Sequence, residues 1–264
     1  MNESRARRVE LSRDRYSHLW VSDSTRRLWE DFSREVYPLD EIELGARNRF
    51  FLERLEAFIE ANHDAVFVNF GAGFTSYPFL TERRCRCIEI DYEHVLAFKR
   101  EKTTEWRREG LLPERDVEFL AADLRSEAER RKLREELDAE IGGRPSLFMM
   151  EGITYYLDPA VLNAIFEMSK GVQSRGSHLT FDFWTPESET HPVFIRFSDF
   201  FERRFGHQRT DYNFLDVDFV GSLSGYELVE LTDIQRLERS YSNTRLLSDY
   251  RKILPESYAV LRRV

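Results

Sequence analysis

The segment Asn69 to Ser76 reads NFGAGFTS; it follows the apolar run Ala65-Val66-Phe67-Val68 and precedes a second apolar run that ends Glu89-Ile90-Asp91. Apolar run, glycine turn and then an acidic strand end is the pattern of one half of a nucleotide-binding α/β sheet. Gly71 and Gly73 suit the turn because glycine lets the backbone reverse sharply and approach a ligand closely. A carboxylate at Asp91, the end of the next strand, can accept from two ribose hydroxyls.

The place of a third glycine is taken by Ser76. That glycine normally lets a helix pack close to its strand and bring its N-terminus to a pyrophosphate. A nucleoside ligand without a pyrophosphate is therefore favoured. S-adenosylmethionine is such a ligand, with ribose and adenine for the acidic strand end and an amino-acid tail for the glycine turn.

Residues 1 to 64 read as a helical extension, with Phe50, Phe51, Leu55, Phe58 and Ile59 spaced for one helix face. From residue 65 to 264 short apolar runs alternate with helical stretches: VFVNF, CRCIEID, VEFLAAD, SLFMMEG and HLTFDFW are strand candidates. Such alternation predicts a doubly wound parallel sheet with helices on both faces. Tyr92 to Glu109 reads as a helix, and the charged stretch Ser126 to Ile141 as a solvated helix stopped by Gly142-Gly143. An insert spans about 186–224 and contains the aromatic helix VFIRFSDFFERRFG; YELVELTD and SYAVLRRV close the chain as two more strands. An insert after the fifth strand lies over the carboxyl edge of the sheet, where ligands bind.

A length of 264 residues with 41% hydrophobic content suits one large α/β domain. The 21 phenylalanines read first as core packing. A net charge of -9 argues against nucleic-acid binding. Cys85 and Cys87 are too few for a disulfide framework or a tetrahedral metal site and read as buried structural thiols, so no metal is expected. The polar N-terminus and the lack of a long apolar run predict a soluble cytoplasmic protein with no membrane partner.

Polar residues stand at five successive strand ends: the glycines after the first, Glu89 and Asp91 at the second, Asp123 at the third, Glu151 at the fourth and Asp182 near the fifth. In a doubly wound sheet these ends line one crevice. The run GAGFTSYPF, the block CIEIDYEHVLAFK, Asp123-Leu124-Arg125, MEGITYYLDP and the upstream GARNRF together resemble the leucine carboxyl methyltransferase family, from about Ala46 to Leu157 and more loosely after Leu179. The resemblance implies a class I methyltransferase Rossmann-like sheet of seven strands with the last antiparallel. It also implies S-adenosylmethionine as cofactor, with Arg47 gripping the methionine carboxylate, Gly71 and Gly73 as the turn, Asp91 on ribose, Asp123 and Leu124 beside adenine, and Glu151 accepting from the ammonium. The family's N-terminal lysine has Arg26 or Arg27 as its stand-in.

A carboxylate acceptor is unprotonated at neutral pH and needs only in-line approach and partial loss of water. A phenol or alcohol needs a base, for which His191, His207 and Asp182 are the candidates. Tyr156, just beyond Glu151, is the expected catalytic residue, with Tyr155 and Arg196 as substrate-binding residues. The expected function is O-methylation of a small organic acid, with a peptide carboxylate as the second acceptor. An NAD-dependent oxidoreductase and a non-catalytic methyltransferase-like module are the competing readings. Oligomeric state is not legible in the sequence.

Overall fold

A computed structural model describes residues 1–264. Its centre is a sheet of β1 (Val66–Phe70), β2 (Arg86–Asp91), β3 (Val117–Ala121), β4 (Ser146–Met150), β5 (His178–Phe183), β6 (Tyr226–Asp233) and β7 (Ser257–Arg263). The spatial order is β3-β2-β1-β4-β5-β7-β6. The first five strands are parallel, and β7 enters antiparallel to both β5 and β6. The chain winds outward from β1 in one direction and from β4 in the other, so a crevice opens between their carboxyl ends.

Strands β1 and β4 are buried along their whole length, and their residues divide by the two-residue period of a strand. Val66, Val68, Phe70, Phe148 and Met150 join one core. Phe67, Leu147 and Met149 join the other, where they meet Phe50, Phe51 and Leu55. Those three phenyl and leucyl side chains come from α4 (Asp40–Ala61), the longest helix of the N-terminal extension. Before it run α1 (Asn2–Arg7), α2 (Val9–Ser12) and α3 (Asp23–Glu35), the last started by a Ser22–Thr25 capping box.

After β1 comes the single turn α5 (Tyr77–Leu80), then α6 (Glu93–Arg108), α7 (Glu127–Ile141) and α8 (Pro159–Val172) between successive strands. Ser126 caps α7 and Gly142 ends it in the left-handed conformation, φ 56°, as its sequence implies. The insert after β5 forms α9 (Pro192–Phe205) and α10 (Val217–Gly221). Between β6 and β7 lies α11 (Ile234–Ser242), absent from the sequence reading because its polar residues outnumber the apolar Ile234 and Leu237 that it buries. Cys87 is buried on β2, whereas Cys85 lies just before the strand and is partly exposed; both are free thiols with Sγ atoms 3.6 Å apart. No helix is long and apolar enough to cross a membrane.

A third cluster is aromatic: Trp184, Phe194, Phe197, Phe200, Tyr155 and Tyr212 pack together, with Phe32 of α3 against them. Phe32 meets Phe197 and Phe200 edge-on at 6.1 and 5.4 Å. Arg203 and Arg204 of α9 form ion pairs with Glu35 and Asp31 of α3. The N-terminal extension and the insert are thus joined above the carboxyl edge of the sheet.

Beneath the glycine turn, Lys99 of α6 meets Glu89 of β2 at 2.8 Å, both side chains fully enclosed, and Lys99 also reaches the Ala72 carbonyl at 3.4 Å. A buried carboxylate stripped of its partner keeps its desolvation cost without compensation. Lys99→Met is expected to destabilise the fold by about 3–5 kcal/mol in urea denaturation, and adding Glu89→Leu is expected to regain most of it. A loss below about 1 kcal/mol for the single variant would contradict this role.

Candidate functional site

Gly71 and Gly73 both adopt positive φ, 62° and 44°, which is strained for residues with a Cβ. At Gly71 a Cβ would also stand 2.4 Å from Cγ2 of Ile153. The turn is pinned from the neighbouring strand. The Ala72 amide donates to the Ile90 carbonyl at 3.0 Å, and the Gly73 amide donates to Asp91 Oδ2 at 2.8 Å. Asp91 Oδ1 accepts from the Tyr92 amide. At the end of β3, Asp123 accepts from the amide and side chain of Arg125, which holds its carboxyl below the usual range. Leu124 beside it is buried.

The ends of β4 and β1 meet a buried charge cluster. Glu151 Oε1 accepts from Arg5 Nη2 and, at 3.0 Å, from Arg47 Nε, while Oε2 accepts from the Tyr77 hydroxyl at 2.8 Å. Burial alone would raise this carboxyl, yet Arg5 and Arg47 hold it below its ordinary value. Arg47 Nη1 donates to Glu256 and to the Tyr155 hydroxyl, each at 3.1 Å, and lies 3.5 Å from Asp182. Glu151 and Arg47 are therefore largely committed to each other and to their neighbours. Arg47 keeps Nη2, which faces the Met1 thioether. Arg5, fully buried, keeps Nε and Nη1 without a hydrogen-bond partner.

Between the glycine turn and the insert lies a cavity of about 510 Å³. One end is formed by Gly71, Gly73, Glu151, Gly152, Arg5 and Arg47. The opposite walls are aromatic: Trp29 and Phe32 from α3, Phe197 and Phe200 from α9, with Trp184, Tyr155 and Tyr156. Tyr155 stacks on Trp184 at 4.1 Å and donates its hydroxyl to Glu256 at 2.6 Å, so it presents its ring and not a free hydroxyl. Tyr156 is 40% exposed and faces the cavity; enclosure by protein raises its phenol, which stays neutral at physiological pH. Asp91, Asp123 and Leu124 lie outside this lining, beyond the glycine turn.

Other expected side chains are placed differently. Arg196 donates from Nε to the Val36 carbonyl at 2.7 Å and does not line the cavity; it fastens α9 to the end of α3. Arg26 is half exposed and pairs with Asp23 and Glu3, whereas the cation that reaches Glu151 from the N-terminal segment is Arg5. Arg27 is likewise exposed and outside the cavity. Asp182 is sealed beneath the site, where it accepts from the Gly152 amide at 2.8 Å; burial and the nearby Glu256 raise its carboxyl. It cannot reach an acceptor. His191 caps α9 through Nδ1 and contacts the Tyr250 carbonyl through Nε2, with burial lowering its basicity. His207 is exposed and outside the lining.

Four further acids line the cavity unannounced: Glu3, Glu256 and, on α4, Asp40 and Glu43. The signal for the last two was present: Asp40, Glu43, Leu44 and Arg47 are spaced for one face of α4. Arg5 had only the local run RAR to mark it, which reads as surface charge until its distant partner Glu151 is known.

The family model for leucine carboxyl methyltransferase matches residues 3–170, more than half of the chain. No curated protein matches. Among solved structures, a DUF574 family protein from Streptomyces avermitilis MA-4680 superposes with a TM-score of 0.64 at 16% identity, over 92% of this chain and 91% of the other. A putative methyltransferase from Thermobifida fusca YX gives 0.63 at 16% identity, over 92% and 89%. Magnesium protoporphyrin IX methyltransferase from Synechocystis PCC 6803, solved with bound SAH, gives 0.53 at 11% identity, over 94% and 97%. These likenesses show the class I methyltransferase fold, seven strands with an antiparallel β7 included. With the family model spanning both the N-terminal helices and the glycine turn, the chain belongs to the leucine carboxyl methyltransferase family.

Proposed function

We propose that this methyltransferase binds S-adenosylmethionine across the glycine turn and transfers its methyl group to a small molecule held in the aromatic half of the cavity. The observation that carries the reading is the pairing of Asp91 with the glycine turn on one side and the Glu151-held arginines on the other. A ribose would bond to Asp91, with Asp123 and Leu124 towards the adenine. The amino-acid carboxylate would meet Arg5, whose Nε and Nη1 have no partner, and Arg47, whose Nη2 meets only the Met1 thioether. Glu151 acts as the holder of these two cations, since Tyr77, Arg5 and Arg47 already occupy its oxygens. The ammonium is left to other acceptors.

The competing NAD reading is weakened by α5. It has only four residues, Tyr77–Leu80, and so offers no long helix N-terminus to a pyrophosphate. S-adenosylmethionine asks for none.

In the transfer, the methyl carbon leaves sulfur, which keeps the bonding pair, and bonds to a lone pair on the acceptor. For a carboxylate oxygen, the acceptor suggested by the family, orientation and exclusion of water suffice without a base. Neither His191 nor Asp182 lines the cavity, so neither can serve as one. Tyr156, neutral and facing the cavity, is suited to donate a hydrogen bond that orients an acceptor oxygen. Tyr155 contributes a ring wall.

Calorimetric titration is expected to show binding of S-adenosylmethionine and S-adenosylhomocysteine and none of NAD; binding of NAD alone would overturn the proposal. Gly71→Ala is expected to weaken both adenosyl ligands by about tenfold or more through backbone strain. Unchanged affinity in the folded variant would remove the glycine turn from the cofactor site.

A further inference from the structure

Along α4 the polar lining of the cavity changes sign. Arg47 stands at the glycine-turn end, Glu43 one helical turn earlier and Asp40 two turns earlier. At the helical rise per residue, Asp40 is displaced by about 10 Å from Arg47 along the axis. Arg5 and Arg47 are the only lysine or arginine residues in the lining, and both contact Glu151. Arg196, Arg203 and Arg204 point to other partners, and Arg7 is occupied by Glu3 and the Trp29 ring. The other cationic group in the lining is the Met1 α-amine near Asp40, whose pKa burial and Arg5 lower to about 6, so the region around Asp40, Glu43 and the aromatic rings of Trp29, Phe32 and Tyr37 is acidic and short of positive charge at neutral pH.

Both acids are nearly sealed, with relative exposures of 1% and 2%. Asp40 Oδ2 accepts from Ser4 at 2.7 Å and from the Trp29 indole at 2.9 Å, but Oδ1 has no partner. Glu43 Oε2 has none either, although the Tyr37 hydroxyl is near enough to the carboxyl to favour its charged form. An enclosed oxygen without a donor is costly. Native proteins leave few of them, and two on one face of one cavity call for a ligand that supplies donors.

We propose that the acceptor is an organic cation: a ring-bearing molecule anchored by a protonated amine on Asp40 and Glu43, with its apolar body against the rings of Trp29, Phe32 and Tyr37. An ammonium provides donors for the orphaned oxygens and is attracted to aromatic faces. A carboxylate in the same position would lose its water beside two acids, with only the weakened Met1 amine as a counter-ion. Burial raises both carboxyls, and nearby Glu256 adds to the effect at Glu43; an incoming cation offsets that penalty. The proposal rests on the methyltransferase reading for the identity of the cavity, and it assigns the anchoring group, not the methylated atom.

The test uses three indoles that share a ring system and differ in the side-chain end: tryptamine, tryptophol and indole-3-acetate. Each is titrated calorimetrically into the full-length protein saturated with S-adenosylhomocysteine. Tryptamine is expected to bind at least about tenfold tighter than indole-3-acetate, with tryptophol between. Glu43→Gln and Asp40→Asn are each expected to weaken tryptamine by about fivefold or more, with S-adenosylhomocysteine affinity measured alongside to verify an intact site. Indole-3-acetate binding as tightly as tryptamine, no tryptamine binding at millimolar concentration, or tryptamine binding indifferent to both substitutions would overturn the proposal. Failure of S-adenosylhomocysteine to bind would instead overturn the cofactor reading, and the amine-to-acid ratio measured on the free protein would still decide the anchor.

Discussion

One carboxylate, Glu151, holds together parts of the chain that lie far apart in sequence. It sits just beyond β4 and binds Arg5 from α1, Arg47 from α4 and Tyr77 from α5. Buried ions persist only when their charges and hydrogen bonds are matched. The N-terminal helices are consequently part of the site, since they supply the cations that Glu151 needs. A cavity then forms between those cations and the aromatic insert.

The matching is uneven, and the unevenness organises the site. Around Arg47 stand Glu151, Glu256 and Asp182, while Glu43 lies close enough to Glu256 to be raised by it. Acids outnumber the two arginines, and burial together with the neighbouring Glu256 raises the carboxyls of Asp182 and Glu43. The surface pairs Arg203–Glu35 and Arg204–Asp31 are a different kind of contact. Exposed ion pairs contribute little, and the aromatic contacts of Phe32 with Phe197 and Phe200 carry more of the joint between α3 and α9.

The central half-site was legible because its determinants are local. Apolar runs fix the strands, positive φ selects Gly71 and Gly73, and the strand period sets Asp91 at the end of β2. The placement of side chains that depend on distant partners was not legible. Arg5 reads as a surface charge until Glu151 is brought beside it. Arg196 stands among phenylalanines and looked like a cavity cation, but local spacing does not reveal that the Val36 carbonyl would claim it. Asp182 occupies a strand end, as an active-site acid would, yet it is buried outside the cavity with one oxygen on the Gly152 amide. The abundance of phenylalanine had two outcomes: most of those named above pack in cores, and Phe197 and Phe200 also wall the cavity.

The most direct measurement is a crystal structure of the protein with S-adenosylhomocysteine. The account predicts ribose hydroxyls on Asp91 and the homocysteine carboxylate in hydrogen-bond contact with Arg5 or Arg47, leaving the aromatic half of the cavity free for an acceptor. An adenosine moiety lodged between Trp29 and Phe197, or a ligand that touches neither arginine, would contradict it.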